Sequence, residues 1–223
     1  MPRILGPLRG TMPGLVGHDR ATAYDYRSPL VPGLIARNGK WLRDKPAIVT
    51  PTVNRTWGEF DIATNRVANG LLAAGCAPGE RIAVLMHNSP EMVEVMFGAM
   101  KAGICVVPLN LSVTDAAAAA MIADCGAVAF AASHEQCRRF DSLASTLAGR
   151  VKLKLGIEAP DAAWQEYPAW LAWQTPGTPA LRVAPEDACN IIYSSGTTSV
   201  PKGIVHSHRC RYDTAYDLSI ALR

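Results

Sequence analysis

The chain has 223 residues, a formal net charge of +3, 49% hydrophobic residues and 18% charged residues. This composition is typical of a folded globular protein and excludes a disordered one. The net charge is too small to indicate binding to nucleic acid or to an anionic membrane surface.

Cysteine spacing and hydropathy indicate the compartment. The six cysteines are scattered and include no Cys-x-x-Cys pair, which argues against a disulfide framework and against a zinc site. Proline and glycine interrupt the apolar N-terminus before a signal core can form, and no uninterrupted apolar segment reaches the roughly 20 residues that span a bilayer. We therefore expect a cytoplasmic protein without a membrane span.

Strand-like and helix-like patterns alternate from residue 46 onward, after an irregular N-terminal extension over residues 1–27. The predicted strands are at 47–49, 82–86, 104–107, 127–132, 151–157 and 189–193, with a turn at 52–55 and a long loop over 158–184. The first predicted helix is opened by a Thr56/Glu59 capping box and ended by Gly75, and the second is opened by Ser89 and Pro90 and ended by Gly103. Two further helices are predicted, one near 114–125 and one opened by Ser133 and Gln136.

The predicted strands are apolar on both faces, which favours a sheet covered by helices on both sides. A strand, a helix and a second strand fit within about 30 residues, the size of a parallel crossover unit. In the helix that Ser89 opens, apolar residues at positions 93, 96, 97 and 100 are predicted to form the core-facing side. The predicted fold class is layered α/β with a mostly parallel sheet flanked by helices.

The most informative segment is residues 193–203, which follow the last predicted strand. Hydroxyl groups and exposed backbone N–H groups donate hydrogen bonds, glycine allows close backbone approach, and lysine adds a positive charge, a combination that suits a polyphosphate. The signature residues are Ser194, Ser195, Gly196, Thr197, Thr198, Ser199, Lys202 and Gly203. Five residues separate Gly196 from Lys202 and Pro201 precedes the lysine, so a Walker-type phosphate loop is excluded by spacing.

This segment resembles the Thr-Ser-Gly-Thr-Thr-Gly-x-Pro-Lys-Gly signature of the adenylate-forming superfamily. That superfamily includes acyl-CoA synthetases, the adenylation domains of peptide synthetases, and luciferases. A second region is similar to the same family, with Thr56-Trp57-Gly58-Glu59 before the turn Gly75-Cys76-Ala77-Pro78-Gly79-Glu80-Arg81. Together the two regions bring residues 46–210 within the resemblance.

The resemblance implies that residues 28–223 are the N-terminal part of a larger AMP-binding domain, because family members are about twice this length or more. Ser207 is expected to cap a helix that runs to Arg223 without a stop signal, which predicts a truncated domain. The partners of this segment would then be the remainder of its own chain and a small-molecule carboxylic acid, and a homo-oligomer is left open. Such a fragment is predicted to expose apolar surface.

The implied chemistry has two steps. A carboxylate attacks the α-phosphorus of ATP to give an acyl-adenylate and pyrophosphate, and a thiol, expected to be coenzyme A, then displaces AMP. By resemblance, the signature residues cradle the β- and γ-phosphates, with Lys202 as the catalytic point charge and Gly196 and Gly203 permitting the bend. Mg²⁺ is expected with the nucleotide, and the coenzyme A site is expected outside this segment. Ser199 stands where the family usually has glycine.

Two alternatives stay open at this point: a peptide-synthetase-type adenylation domain, and a non-catalytic fragment that binds nucleotide or another chain. No protein metal site is predicted, because His206 and His208 are too few ligands, and a polar strand end leading into a helix is favoured there. His87 is interpreted as a loop residue. The tryptophans at 164, 170 and 173 are interpreted as packing residues.

Overall fold

The computed structural model describes residues 30–143, 150–194 and 201–222. In chain order the elements are α1 (Val31–Trp41), β1 (Pro46–Val49), β2 (Asn54–Thr56), α2 (Trp57–Ala73), β3 (Arg81–Leu85), α3 (Pro90–Lys101), β4 (Cys105–Pro108), α4 (Asp115–Cys125), β5 (Ala129–Ser133), α5 (His134–Leu143), β6 (Leu153–Ile157), β7 (Gln165–Glu166), α6 (Tyr167–Ala172), β8 (Ala188–Ser194), β9 (Lys202–Ser207) and α7 (His208–Ala221).

The main sheet has the strand order β7-β6-β5-β3-β4-β8-β9, and β1 and β2 form a separate antiparallel pair. All neighbouring strands of the main sheet are parallel except β8 and β9, which are antiparallel. One apolar core packs α2 and α3 on one face of the sheet, and a second packs α4 and α5 on the other face. The predicted α/β class with a mostly parallel, helix-covered sheet is confirmed.

The helix boundaries follow the predicted sequence signals closely. The backbone N–H of Glu59 donates to Thr56 Oγ1 over 3.3 Å, and the Thr56 N–H donates to Glu59 Oε2 over 2.8 Å, so the predicted capping box forms at the start of α2. Ser89 accepts a hydrogen bond from the Met92 N–H and caps α3. Gly75 has a φ of 81° just after α2, a backbone conformation that glycine adopts without strain.

Three predictions of local structure were wrong. The region before residue 46 contains α1, and β2 occupies the C-terminal part of the predicted turn at 52–55, because the antiparallel pairing with β1 extends through it. The predicted loop over 158–184 contains β7 and α6, which the buried ring of Tyr167 anchors. Ser133 does not cap α5, since its hydroxyl is buried without a hydrogen-bond partner in the described structure.

The buried face of α3 also differs from the prediction. Val95 and Ala99 are fully buried and Met100 is buried as predicted, whereas residues 93, 96 and 97 are only half-buried. The α3 helix packs closely against α2, and the small residue Gly98 lies at their contact. A Cβ on Gly98 would come within 2.4 Å of Val67 Cβ, which shows how closely the two helices approach.

A buried ion pair lies in the same helix–helix interface. The Lys101 side chain is fully buried, and its ammonium donates to Asp61 Oδ1 over 2.5 Å and to Asn65 Oδ1 over 2.7 Å. Burial lowers the pKa of Lys101 to about 8, although the Asp61 carboxylate opposes this shift. The ion pair therefore links α2 to α3 through a charged group that is buried away from water.

The six cysteines are free, and they differ sharply in exposure. Five are buried, at positions 76, 105, 125, 137 and 189, and Cys210 on α7 is exposed. Burial raises the pKa of each buried thiol, to about 12 for Cys105 and to about 11 for the other four. The buried thiols consequently remain protonated and unreactive at neutral pH.

The β9 and α7 elements expose several apolar side chains. The exposed fractions are 49% for Ile204, 56% for Tyr216, 55% for Ile220 and 84% for Leu222. Within α7, whose residues are all described, only His208 is fully buried. Among the described residues, no helix is both long enough and apolar enough to cross a membrane.

Candidate active site

The candidate site is built on the antiparallel hairpin of β8 and β9. The register pairs Ile192 with Ile204, Tyr193 with Gly203, and Ser194 with Lys202, so the signature segment connects two paired strands. Of the predicted site residues, Ser194, Lys202 and Gly203 belong to these strands. Ser195, Gly196, Thr197, Thr198 and Ser199 lie outside the described residues.

Ser194 and Lys202 are brought side by side at the open end of the hairpin. Directly opposite residues in an antiparallel pair share one face, with Cβ atoms about 5 Å apart. Both residues are exposed, and no ion pair joins Lys202 to any residue in the described ranges. An ammonium and a hydroxyl thus project together into solvent, an arrangement that can bind an anion.

Tyr193 and Gly203 occupy the opposite face of the hairpin. A Cβ on Gly203 would lie 3.2 Å from Tyr193 Cε1 and 3.0 Å from Ile191 Cγ2, so the missing side chain leaves room for these two neighbours. Gly203 pairs within β9 as part of an extended strand. The role of Gly203 in permitting the bend stays a prediction, since residues 195–200 lie outside the described ranges.

The tyrosine hydroxyl reaches across to α4. It lies 2.6 Å from Asp124 Oδ2 and 3.1 Å from the Met121 carbonyl oxygen, and both of these atoms are acceptors. Burial raises the pKa of Tyr193, and the hydrogen bond to Asp124 raises it further. The phenol therefore stays protonated and acts as the donor.

A second polar cluster lies at the base of the hairpin. The Arg211 Nε donates to Asn190 Oδ1 over 2.6 Å, and another guanidinium nitrogen lies 3.4 Å from His206 Nδ1. Partial burial and the Arg211 charge lower the pKa of His206. Asn190 is buried, so this cluster satisfies a polar group inside the sheet and joins α7 to β8.

Two further histidines, His208 and His87, differ in burial. His208 is fully buried at the start of α7, neither of its ring nitrogens has a hydrogen-bond partner in the described structure, and burial lowers its pKa to about 4. His87 is exposed, directly beyond β3. Over the described ranges, no three His, Cys, Asp or Glu side chains are grouped so that they could hold a metal ion.

Sequence reasoning did not find Tyr193, Asp124 or Arg211 as part of the site region. Asp124 and Tyr193 are 69 residues apart in the chain, and Arg211 reaches Asn190 from 21 residues away. The tyrosine directly before the hydroxyl-rich segment was a visible signal. Its partner on α4 depends on how the sheet places the two elements, so no local pattern could identify it.

Comparison with known proteins agrees with the signature and with the fold. The model of the AMP-binding enzyme family matches residues 35–222, which is most of the chain. The chain belongs to the AMP-binding enzyme family. The family match covers most of α1 and every strand of the main sheet, so the resemblance inferred from residues 46–210 extends further in both directions.

The relatives of this AMP-binding chain are named for different compounds. It is 34% identical over 169 residues to a 3-hydroxybenzoate–CoA ligase from Aromatoleum, covering 76% of this chain and 32% of the relative. It is 28% identical over 199 residues to a linear gramicidin synthase of Brevibacillus parabrevis, covering 89% of this chain and 2% of that protein.

A comparison with solved structures also finds similarity to a CoA ligase. The structure of an anthranilate–CoA ligase in complex with anthranoyl-AMP matches with a TM-score of 0.73 and 26% identity, over 84% of this chain and 34% of that one. The AMP-binding chain thus spans about a third of the length of the CoA ligases that it matches.

Proposed function

We propose that the protein carrying this chain is an acid–thiol ligase of the acyl-CoA synthetase type. In the first step a carboxylate oxygen attacks the α-phosphorus of ATP, forming an acyl-adenylate as the bond to pyrophosphate breaks. In the second step the thiol of coenzyme A attacks the acyl carbon and AMP leaves. The observation that carries the proposal is the exposed pair of Ser194 and Lys202 at the end of a hairpin within an AMP-binding family domain.

The geometry of this pair suits the leaving pyrophosphate. Negative charge builds on the β- and γ-phosphates as the bond to the α-phosphorus breaks, and a fixed ammonium lowers the barrier when it is aimed at that charge. Lys202 has no carboxylate partner within the described ranges that would compete for the phosphates. Lys202 is proposed as the catalytic point charge, and the hydroxyls and N–H groups of residues 194–199 as additional donors.

The other reactants are assigned by chemistry rather than by a bound group. Because the described residues group no three metal-binding side chains, Mg²⁺ would reach the site bound to the phosphates of ATP. Coenzyme A would supply the thiol, and none of the described residues is assigned to it.

The proposal is tested by measuring hydroxamate formation from a carboxylic acid, ATP and hydroxylamine with the full-length protein. We would start with 3-hydroxybenzoate and anthranilate, the acids for which two relatives are named, and with a long-chain fatty acid. Lys202→Ala is expected to lower kcat/KM for ATP by about 10- to 100-fold, the value of one charge-assisted hydrogen bond. Lys202→Arg should retain part of the activity because it keeps the charge.

Lys45→Ala is the matched control, since Lys45 is an exposed lysine before β1 and outside the hairpin. Its rate should equal that of the unchanged protein. Adenylate formation at the same rate in Lys202→Ala would remove the proposed role of this lysine. Absence of adenylate with every acid and with a broad panel of amino acids would remove the proposed activity.

A peptide-synthetase-type adenylation reaction is the second candidate, favoured by the similarity to the gramicidin synthase over 89% of this chain. The first step is the same in both, so the acceptor separates them. Release of acyl-CoA when free coenzyme A is added supports the first proposal. Transfer only to the thiol of a carrier-protein cofactor supports the second.

A further inference from the structure

We infer that Tyr193 is a positioning residue, which holds Lys202 in place for the phosphates through its bond to Asp124. The inference rests on the proposed function for its catalytic consequence, although the tether itself does not. It concerns the end of the β8–β9 hairpin and the way that this end is attached to the rest of the fold.

Few strand hydrogen bonds hold the open end of the hairpin to the main sheet. The β8 strand pairs with β4 at one register position, Val106 with Asn190, whereas it pairs with β9 over six positions. The β4 strand ends in Pro108, which has no backbone N–H with which to continue the ladder. Ile191 is still buried in the core, but no register pair links Tyr193 or Ser194 to β4, so the β4 ladder does not hold the end that carries Lys202.

The side chain of Tyr193 attaches this end of the hairpin to α4. Its hydroxyl bonds to Asp124 Oδ2 at 2.6 Å, and the Met121 carbonyl oxygen lies close by, so the end of the hairpin is tied to the C-terminal turn of α4. Its ring lies against Gly203 on the partner strand, which ties β9 as well. One side chain thus connects both strands of the hairpin to a helix that packs on the main sheet.

This attachment determines where Lys202 stands. Lys202 is the neighbour of Gly203 and pairs with Ser194, so any shift of the Tyr193–Gly203 pair moves the ammonium by a similar amount. A catalytic charge that is misplaced by about 1 Å can lower the rate of an enzyme by about 100-fold. Tyr193 touches no reactant in this scheme and acts only by holding the lysine.

The test compares four variants of the full-length protein: Tyr193→Phe, Asp124→Ala, Asp124→Asn and the control Tyr216→Phe. Tyr193→Phe and Asp124→Ala each remove the tether and should lower kcat/KM for ATP about ten-fold while leaving KM for the acid unchanged. Asp124→Asn keeps an acceptor oxygen and should restore kcat/KM for ATP to within about two-fold of the original. Tyr216→Phe removes the same hydroxyl from an exposed position on α7 and should change neither constant.

Hydrogen exchange at the amides of β9 provides a readout that does not depend on activity. Tyr193→Phe and Asp124→Ala should speed exchange in β9 about ten-fold, whereas Asp124→Asn and Tyr216→Phe should not. Unchanged exchange in Tyr193→Phe overturns the tether, even if the protein forms no adenylate and the proposed function fails. If exchange speeds up but kcat/KM for ATP stays within about two-fold of the original, the positioning role is overturned while the proposed function stands.

Discussion

Replacing Asp61 with alanine removes the carboxylate that faces the Lys101 ammonium between α2 and α3. The Lys101 side chain is fully buried, and its ammonium lies 2.5 Å from Asp61 Oδ1. Without this carboxylate the ammonium would keep its hydrogen bonds to two neutral acceptors, Asn65 Oδ1 and the backbone carbonyl oxygen of residue 61. Removing one partner of a buried ion pair leaves a charge without compensation inside the protein. We expect Asp61→Ala to be strongly destabilising.

The size of the effect follows from the two terms that change. The Asp61 carboxylate raises the pKa of the buried Lys101, so its loss lets that pKa fall below about 8, and each unit of the fall removes about 1 kcal/mol of stabilisation of the ammonium. The lost charge-assisted hydrogen bond adds about 2 kcal/mol. A total near 3 kcal/mol corresponds to a fall in Tm of about 6–12 °C for a domain of this size.

The assay is urea and thermal unfolding followed by circular dichroism. Glu186→Ala is the matched control, since the Arg209–Glu186 pair has the same 2.5 Å separation but is mostly exposed, and its loss should be close to neutral. Lys101→Met leaves Asp61 without its lysine, but the Asp61 side chain keeps 20% exposure to water, so this variant should lose less stability than Asp61→Ala. Equal losses in Asp61→Ala and Glu186→Ala, or a larger loss in Lys101→Met, would refute this reasoning.

Lys101 also predicts a pH dependence. Its folded pKa of about 8 lies below the ordinary value of 10.5, so the unfolded chain binds more protons than the folded chain between these two pH values. Lys101 should therefore raise the free energy of unfolding from about pH 8 to pH 10.5, while the five buried thiols, whose folded pKa values are about 11 to 12 against 9.0, lower it above about pH 9. The difference in the free energy of unfolding between the unchanged protein and Lys101→Met should rise over this range, and a difference that does not change with pH would contradict the prediction.

Two further predictions concern stability. His208 has a folded pKa of about 4, below the ordinary value of 6.5, so the free energy of unfolding should fall by about 3 kcal/mol as the pH drops from 6.5 to 4. Urea titrations of His208→Leu at the two pH values should show a smaller fall, and an unchanged fall would contradict the prediction. Gly98→Ala would place a Cβ 2.4 Å from Val67 Cβ and should cost about 1–3 kcal/mol in thermal unfolding. Gly177→Ala would place a Cβ in ordinary contact, 3.9 Å from Thr175 Cγ2, and should cost less than about 0.5 kcal/mol; equal effects would show that the two helices can separate freely.

The sequence predicted the main sheet because its strands are short apolar runs separated by capped helices. Thr56, Ser89 and Ser207 accept the backbone hydrogen bonds that their positions predicted, since a helix cap joins residues only three positions apart. The α1 helix was missed because its sequence contains a proline and two glycines. Those residues disfavour a helix, and packing of the buried Ile35 and Ala36 outweighs that local preference.

The errors that concern packing between elements have a common physical origin. The face of α3 was assigned from large apolar residues, yet the close contact with α2 selects small ones such as Gly98 and Ala99. The signature predicted a phosphate site from residue types alone, and the pairing of Ser194 with Lys202 supports that prediction. The bond from Tyr193 to α4 joins residues distant in sequence, and only the tertiary arrangement reveals such contacts.

The contrast between the buried thiols and Cys210 has a practical consequence. A maleimide dye added near neutral pH should attach to this chain at a single position, because the other five sulfur atoms are shielded from solvent. That position lies three residues after the end of β9, on the helix that continues directly from the candidate hairpin. The chain can therefore carry a fluorescent label at its own Cys210, beside the candidate hairpin.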